Sequence, residues 1–177
     1  MSSVSNDSES RVAARIPRPL AALERPVRAS IGWLDAASPR LEPFFDLAIR
    51  LGIAWIFWKS GLTKIASWDS TVLLFTYEYQ VPLLSPQLAA FLATASELTL
   101  PVLLAFGIAA RLAALALFVF NLMAVISYPA LSLYGQLDHA WWGALILITL
   151  FRGPGRWSID HLIRTRFWPR PERRATD

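Results

Sequence analysis

The segment PQLAAFLATASELTLPVLLAFGIAARLAALALFVFNLMAVISYPALS (residues 86–132) decides the fold, because it contains two long apolar runs joined by a short turn. Its charged residues are Glu97, near the middle of the first run, and Arg111, in the turn. About 20 apolar residues are enough for a helix to cross the hydrocarbon core of a bilayer. The segment therefore predicts membrane spans at 86–109 and 111–132, antiparallel because the connection is so short.

The composition of the whole chain agrees with a lipid environment. Of its 177 residues 55% are hydrophobic and 17% are charged, and the mean hydropathy is +0.42. A water-soluble globule would have too little polar surface to cover itself. Further apolar runs at 44–65 and 137–151 complete a membrane domain over residues 43–152. The predicted fold is all-α, a four-transmembrane-helix bundle with short interfacial helices, and the fourth span is short for a bilayer.

The basic residues predict the orientation of this bundle. The net charge is +4, with six arginines before the first span and seven after the last, while Arg111 is the one Lys or Arg between Lys64 and Arg152. Basic residues concentrate on the cytoplasmic side of membrane proteins. Both termini and the Arg111 turn are therefore predicted to be cytoplasmic. The same distribution argues against nucleic-acid binding, and the lack of cysteine excludes disulfides and thiolate-bound metal in this chain.

Three segments are predicted outside the spans. Residues 1–42 are rich in Arg and Pro and predict a largely disordered cytoplasmic tail with an interfacial stretch. Residues 66–85 contain acids and aromatics and predict an external loop with an interfacial helix. Residues 153–177 predict a basic cytoplasmic tail in which IDHLIRTRFW (159–168) forms an amphipathic helix.

Glu97 is the first candidate for function, because a charge near the bilayer centre costs several kcal/mol and needs a partner in the bundle interior. Its depth favours Lys59 as that partner, while Lys64 lies nearer the outer interface. Asn121 lies at a similar depth and is expected to hydrogen-bond Glu97. These residues form either a proton-accepting pair, a polar anchor for a quinone or other carbonyl-bearing ligand, or a clamp that only fixes helix packing.

Two further groups of residues are weaker candidates. Asp138 and His139 open the fourth span and could relay protons at the outer face, although a solvated loop histidine is the simpler interpretation. His139 and His161 fall on opposite sides of the membrane, so no metal or haem site is predicted. Arg50 and Arg111 are expected to reach lipid phosphates from the cytoplasmic ends of their spans.

Five short motifs are spread over roughly Leu47 to Leu162: Arg50-Leu-Gly, Gly61-Leu-Thr-Lys64, Ser96-Glu97-Leu, Gly107-Ile-Ala-Ala-Arg111, and Gly153-Pro-Gly155 leading to Ser158-Ile-Asp160. In their order and spacing these motifs resemble the DoxX family of small bacterial membrane proteins. The resemblance implies a four-helix membrane fold in the bacterial cytoplasmic membrane, and it implies Lys64, not Lys59, as the partner of Glu97. Related DoxD-type proteins are subunits of a thiosulfate:quinone oxidoreductase, and some DoxX relatives associate with superoxide dismutase and a sulfurtransferase.

Three functions remain open from the sequence. The first is a subunit or accessory of a membrane redox system, not catalytic alone, with no intrinsic cofactor but a bound quinone. Its partners would be lipids, a soluble redox protein or another membrane subunit, or further copies of the chain. The second is a small-solute or proton transporter that uses the same charges, and the third is a scaffold whose basic tails recruit soluble partners.

Overall fold

The structure is a computed structural model that describes the backbone of residues 18–167 and the side chains of residues 32–33 and 35–167. Within this range it contains six helices and no strand, which confirms the all-α prediction. The helices are α1 (Arg18–Ala66), α2 (Trp68–Tyr77), α3 (Pro86–Phe106), α4 (Ala110–Ser127), α5 (Leu133–Arg152) and α6 (Ile159–Phe167).

The chain divides into two compact units, Met1–Leu41 and Glu42–Asp177, and α1 contributes residues to both. In the first unit the structure has helix from Arg18 onward, where we predicted a largely disordered or interfacial tail. Pro19 lies in the first turn of α1, where a missing backbone N–H costs nothing. Residues 1–17 of the predicted N-terminal tail and residues 168–177 of the basic C-terminal tail lie outside the described range.

Side-chain caps and glycines set the bounds of α3. The Ser85 hydroxyl accepts a hydrogen bond from the Leu88 N–H, and Pro86 occupies the first helical position, as helix starts favour. Gly107 ends α3 in the left-handed conformation, with φ at 67°. The helix therefore stops at Phe106, before the predicted bound of 109.

Two more of the predicted spans also shift at their ends. α4 stops at Ser127, ahead of Pro129, whereas the predicted span continued to residue 132. α5 begins at Leu133, because Ser132 caps the Gly135 N–H at 3.1 Å, and it has 20 residues. The fourth apolar helix is thus longer than the predicted 137–151, and it is long enough to cross a bilayer.

Two hydrophobic clusters hold the second unit together. One joins α1, α3, α4 and α5 through buried residues that include Ile53, Leu104, Leu117 and Ile146. The other packs Phe75 of α2 against Ala89 and Ala90 at the start of α3. Short helices occur where we predicted interfacial ones, α2 within residues 66–85 and α6 within residues 153–177, and α2 packs against α3.

Two of the described helices, α3 and α4, are long and apolar enough to span a membrane by length and composition. Only a third of the most apolar 18-residue stretch of each helix is buried, so most of its surface faces outward. Large apolar side chains such as Phe91, Leu112 and Ile126 are exposed on these helices. Exposed apolar surface of this extent suits a lipid environment.

Candidate functional site: a buried ion pair beside an apolar cavity

The site begins with a close approach of α1 and α3 at Gly61. A Cβ on Gly61 would lie 2.8 Å from Leu98 Cδ2 and 3.1 Å from Glu97 Cβ. Any side chain at this position would therefore push the two helices apart. Lys64 follows Gly61 by one turn of α1, so the same approach brings Lys64 opposite Glu97.

The Lys64 ammonium binds both carboxylate oxygens of Glu97. Lys64 Nζ lies 2.8 Å from Oε1 and 2.7 Å from Oε2, and it also donates to Ser60 Oγ at 3.0 Å. Ser60 in turn donates to Glu97 Oε1 at 3.1 Å. An ammonium has three N–H donors, and all three are used here. The two side chains are only 14% and 7% exposed, so this ion pair is largely removed from solvent.

An apolar cavity of about 130 Å³ adjoins the ion pair. It lies among α2, α3, α4 and the loop between α2 and α3, with Glu97 and Lys64 in its wall. A cavity of this size and character can hold a small ring molecule. The other lining residues are Phe75, Tyr79, Val81, Leu84, Ala89, Leu92, Ala93, Ser96, Phe120, Met123, Ala124 and Ser127.

Ser127 places an unpaired polar group in the wall of this cavity. The residue is 1% exposed, and its hydroxyl has no hydrogen-bond partner among the residues that the structure describes. Its backbone carbonyl is already occupied, because it accepts a hydrogen bond of 2.7 Å from the Gln80 N–H. An unpaired buried hydroxyl is costly, so a ligand atom that pairs with it gains binding free energy.

Stacked aromatic rings support the loop beside the cavity. Tyr79 lies between Phe75 and Tyr128, with ring centroids 4.6 and 4.8 Å apart. The Tyr128 hydroxyl donates to Glu78 Oε2 at 2.8 Å, which ties the end of α4 to the end of α2. Burial raises the pKa of Tyr79, and the negative charge of Glu97 raises that pKa further. Tyr79 therefore stays a neutral phenol at physiological pH.

The structure separates the three residues that we grouped around Glu97. Lys64 contacts Glu97, as the resemblance implied, whereas the depth argument favoured Lys59, which is exposed and does not line the cavity. Asn121 is buried but does not bind Glu97 as we expected. It pairs instead with His139 on α5. Asn121 Oδ1 lies 2.7 Å from His139 Nδ1, and Asn121 Nδ2 donates to the His139 carbonyl at 3.0 Å. Helix depth alone did not reveal which way each side chain points.

Asp138 and His139, the predicted proton relay at the outer face, have different surroundings from one another. Asp138 is exposed, while the half-buried His139 ring packs edge-on against Trp142 with centroids 4.7 Å apart. Gly143 permits the contact between Asn121 of α4 and His139 of α5, because a Cβ there would lie 3.3 Å from Asn121 Nδ2. His139 thus has a defined structural contact, and a role in proton relay stays a prediction.

Arg50 does not reach lipid phosphates as we predicted. It is 1% exposed, and its guanidinium donates to the Trp157 carbonyl and, at 3.5 Å, to the Ala105 carbonyl. Free carbonyls at the end of a helix suit a cation. Arg50 therefore joins α1 to the end of α3 and to the segment after α5.

Two residues of the site were missed in the sequence. Ser60 precedes Lys64 by four residues, the spacing of neighbours on one helix face, so its contact with the ion pair could have been predicted. Ser127 carried no such signal, because only the packing of α4 against the α2–α3 loop turns its hydroxyl into a cavity wall.

These features define a class: an all-α protein with outward-facing apolar helices, a buried Lys–Glu pair and an adjoining apolar cavity. The DoxX family model matches residues 45–130. An uncharacterized protein of Haemophilus influenzae is 32% identical over 135 residues, which cover 69% of this chain and 87% of that protein. The chain belongs to the DoxX family, in agreement with its apolar helices. No solved structure matches the chain significantly.

Proposed function

We propose that the second unit spans the bacterial cytoplasmic membrane four times, through α1, α3, α4 and α5, with both ends on the cytoplasmic side. α1 and α5 are less apolar than α3 and α4, but two charges of α1 are compensated inside the bundle. Arg50 is bound by backbone carbonyls and Lys64 by Glu97, which lowers the cost of placing both residues at membrane depth. The six arginines that precede this unit in the sequence and the seven from Arg152 onward support this orientation.

Single cysteines test the topology without background, because the chain has no native cysteine. Gln80→Cys lies in the predicted external loop, and Arg166→Cys lies in α6, at the predicted cytoplasmic end. A membrane-impermeant maleimide applied to intact cells should label the first variant and should label the second only after lysis. Labelling of both in intact cells, or of Arg166→Cys alone, would contradict the proposed orientation.

We propose further that the cavity binds the headgroup of a quinone, and that the protein serves a quinone-linked membrane redox system as an accessory subunit. The observation that carries this proposal is the position of the buried Lys64–Glu97 pair in the wall of an apolar cavity, together with the unpaired Ser127 hydroxyl. Ligand sites in proteins are mostly apolar and contain a few polar groups that orient the ligand.

The hydrogen-bonding capacity of the wall suits both redox states of such a headgroup. The Ser127 hydroxyl is available to donate to a quinone carbonyl. The Glu97 carboxylate has about four acceptor sites, and three hydrogen bonds from Lys64 and Ser60 use most of them. One site remains for the hydroxyl of a quinol. The ammonium has no N–H left, so its part is to hold the carboxylate charged and oriented.

A matched pair of lysine variants tests the quinone site. In purified protein, a short-tailed benzoquinone should quench tryptophan fluorescence saturably, and Lys64→Gln should weaken its binding about tenfold or more. Lys59→Gln is the control, because it removes the same charge from the same helix outside the cavity. Equal binding by both variants and the unaltered protein would contradict the site.

The accessory role requires a partner, because binding a quinone does not by itself supply or accept electrons. Affinity purification in mild detergent should therefore recover a soluble redox protein or a second membrane subunit together with quinone. Glu97→Gln should retain the protein partner and lose the quinone if the two are bound at different sites. Abundant pure protein with neither would contradict the redox role.

A further inference from the structure

A second cavity, of about 340 Å³, lies at the opposite end of the second unit and is strongly polar. Arg111 of α4, Arg152 at the end of α5, Arg156 of the following loop and Arg164 of α6 all line it. Its volume is within the range of small-molecule sites. Four arginines, from α4, α5, the following loop and α6, thus converge on one cavity.

The charges in this cavity do not balance. Glu42 and Asp46 are the carboxylates in its wall, and both bind the same arginine. The Arg152 guanidinium lies 2.5 Å from Glu42 Oε1 and 3.1 Å from Asp46 Oδ1. Four arginines and two carboxylates leave a net charge of +2. Arg111, Arg156 and Arg164 form no ion pair with any residue that the structure describes.

Two glycines in left-handed conformations hold the wall of the cavity in place. Gly153 has φ at 91°, and a Cβ there would lie 3.3 Å from Nε and Nη2 of Arg111. Gly155 has φ at 73°, and a Cβ there would lie 2.9 Å from Asp46 Cβ. The Gly153-Pro154-Gly155 turn therefore packs directly against one arginine and against the carboxylate that binds another.

The N-terminus of α4 does not supply the positive character of this cavity. Its first free N–H groups, those of Ala109 and Ala110, each donate at 2.8 Å to a carboxylate oxygen of Asp160. The helix end is therefore already neutralised by an acid. What remains available to an anion is the set of guanidinium groups, whose planar forks match phosphate oxygens in pairs.

We propose that this cavity binds a phosphate ester, with Arg111, Arg156 and Arg164 holding its oxygens and Arg152 held in place by Glu42 and Asp46. A phosphodiester with a charge of −1, or a phosphomonoester near −2, would offset the excess positive charge. At the cytoplasmic end of a membrane protein such a group is available from anionic phospholipids and from soluble metabolites. The site shares no residue with the apolar cavity, so it does not depend on quinone binding.

The experiment compares two arginines on the same helix. Arg164 lines the cavity, whereas Arg166, also in α6, does not, so Arg164→Gln and Arg166→Gln remove equal charge inside and outside the site. Purified protein is titrated with short-chain phosphatidylglycerol, with short-chain phosphatidylcholine and with glycerol 3-phosphate, and binding is followed by native mass spectrometry. Arg164→Gln should raise the Kd for the preferred phosphate about tenfold, while Arg166→Gln should change it less than twofold.

The three ligands distinguish the sources of the phosphate. Tight binding of phosphatidylglycerol that depends on Arg164 would support a lipid headgroup site, and equal dependence with glycerol 3-phosphate would support a soluble ester. If Arg164→Gln and Arg166→Gln weaken binding equally, or if neither changes it, the cavity is not a specific site and the proposal is overturned. Thermal unfolding of both variants shows that the comparison is made on folded protein.

Discussion

The two ends of the second unit differ in what neutralises their charged side chains: an opposite side-chain charge at one end, and backbone groups at the other. At one end Lys64 and Glu97 neutralise each other beside an apolar cavity, and the nearby Ser127 hydroxyl is unpaired. At the other end the charge of Arg50 is met by backbone carbonyls, and Asp160 is met by backbone N–H groups. The first end has a small apolar cavity beside a paired charge, whereas the second joins helices to one another and has a larger polar cavity lined by arginines.

The difference shows that motifs shared with one family need not share one role. Arg50, Gly107 and Asp160 belong to motifs as distinctive as those of Lys64 and Glu97, but they fasten α1, α3, α4 and α6 together. The Asp160 N–H also donates to the Gly107 carbonyl at 3.0 Å, which completes this junction. We therefore expect substitutions at the junction to reduce stability, whereas substitutions in the cavity reduce quinone binding and, where they leave a buried charge unpaired, stability as well.

Gly107→Ala should have the largest effect on stability. The left-handed φ of 67° disfavours a side chain, and a Cβ there would overlap the Arg50 guanidinium and Ser158. We expect a loss of about 4 kcal/mol, measured as a lower midpoint of unfolding in detergent. Gly52→Ala is the control, since a Cβ at Gly52 meets no atom within 4 Å and should stabilise α1 slightly. Equal stability of the Gly107→Ala and Gly52→Ala variants would contradict the close packing of Gly107 against Arg50 and Ser158.

Glu97→Gln should cost about 3 kcal/mol, because it leaves the Lys64 ammonium without its counter-charge in a mostly buried position. The double variant that adds Lys64→Met should recover most of this loss, because it removes the stranded charge as well. Unfolding midpoints of the two single variants and the double variant form a complete cycle. If the loss in the double variant equals the sum of the losses in the two single variants, Lys64 and Glu97 do not stabilise each other.

Asp160→Asn should cost about 1 to 2 kcal/mol, because the amide offers one acceptor oxygen where the carboxylate serves both Ala109 and Ala110. Asp138→Asn is the matched control, since Asp138 is exposed at the other end of the unit. It should change the unfolding free energy by less than about 0.5 kcal/mol. A similar loss in the two variants would mean that charge, not capping, explains the effect.

Ser127→Ala should change stability least, by under about 1 kcal/mol and in the favourable direction, because it removes an unpaired buried hydroxyl. It should nevertheless weaken quinone binding several-fold, which the fluorescence titration measures. Thr94→Ala is the control, because the Thr94 hydroxyl is also buried but donates to the Ala90 carbonyl and lies outside the cavity wall. Unchanged quinone affinity in Ser127→Ala would remove the hydroxyl from the site.

Apolar runs and turn residues predicted most of the fold. The helix bounds moved by a few residues where Gly107, Pro129 and Ser132 act, because a cap or a left-handed glycine ends a helix more sharply than hydropathy does. The helix in Arg18–Leu41 was not predicted, since its arginines and prolines resemble the composition of a disordered tail. Depth along a span was a poor guide to partners, as the exposed Lys59 shows.

The sequence by itself determined the all-α class, the apolar helices and the presence of a carboxylate that needs a partner at depth, because these depend on local composition and periodicity. Only the tertiary structure decided that Lys64 is that partner, that Asn121 belongs to His139, and that Arg50 is buried. Side-chain partners across helices depend on the rotation and close approach of each helix, which small residues such as Gly61 permit. The cavity beside Glu97 has the same origin, because it is the space that α1, α2, α3, α4 and the α2–α3 loop leave between them.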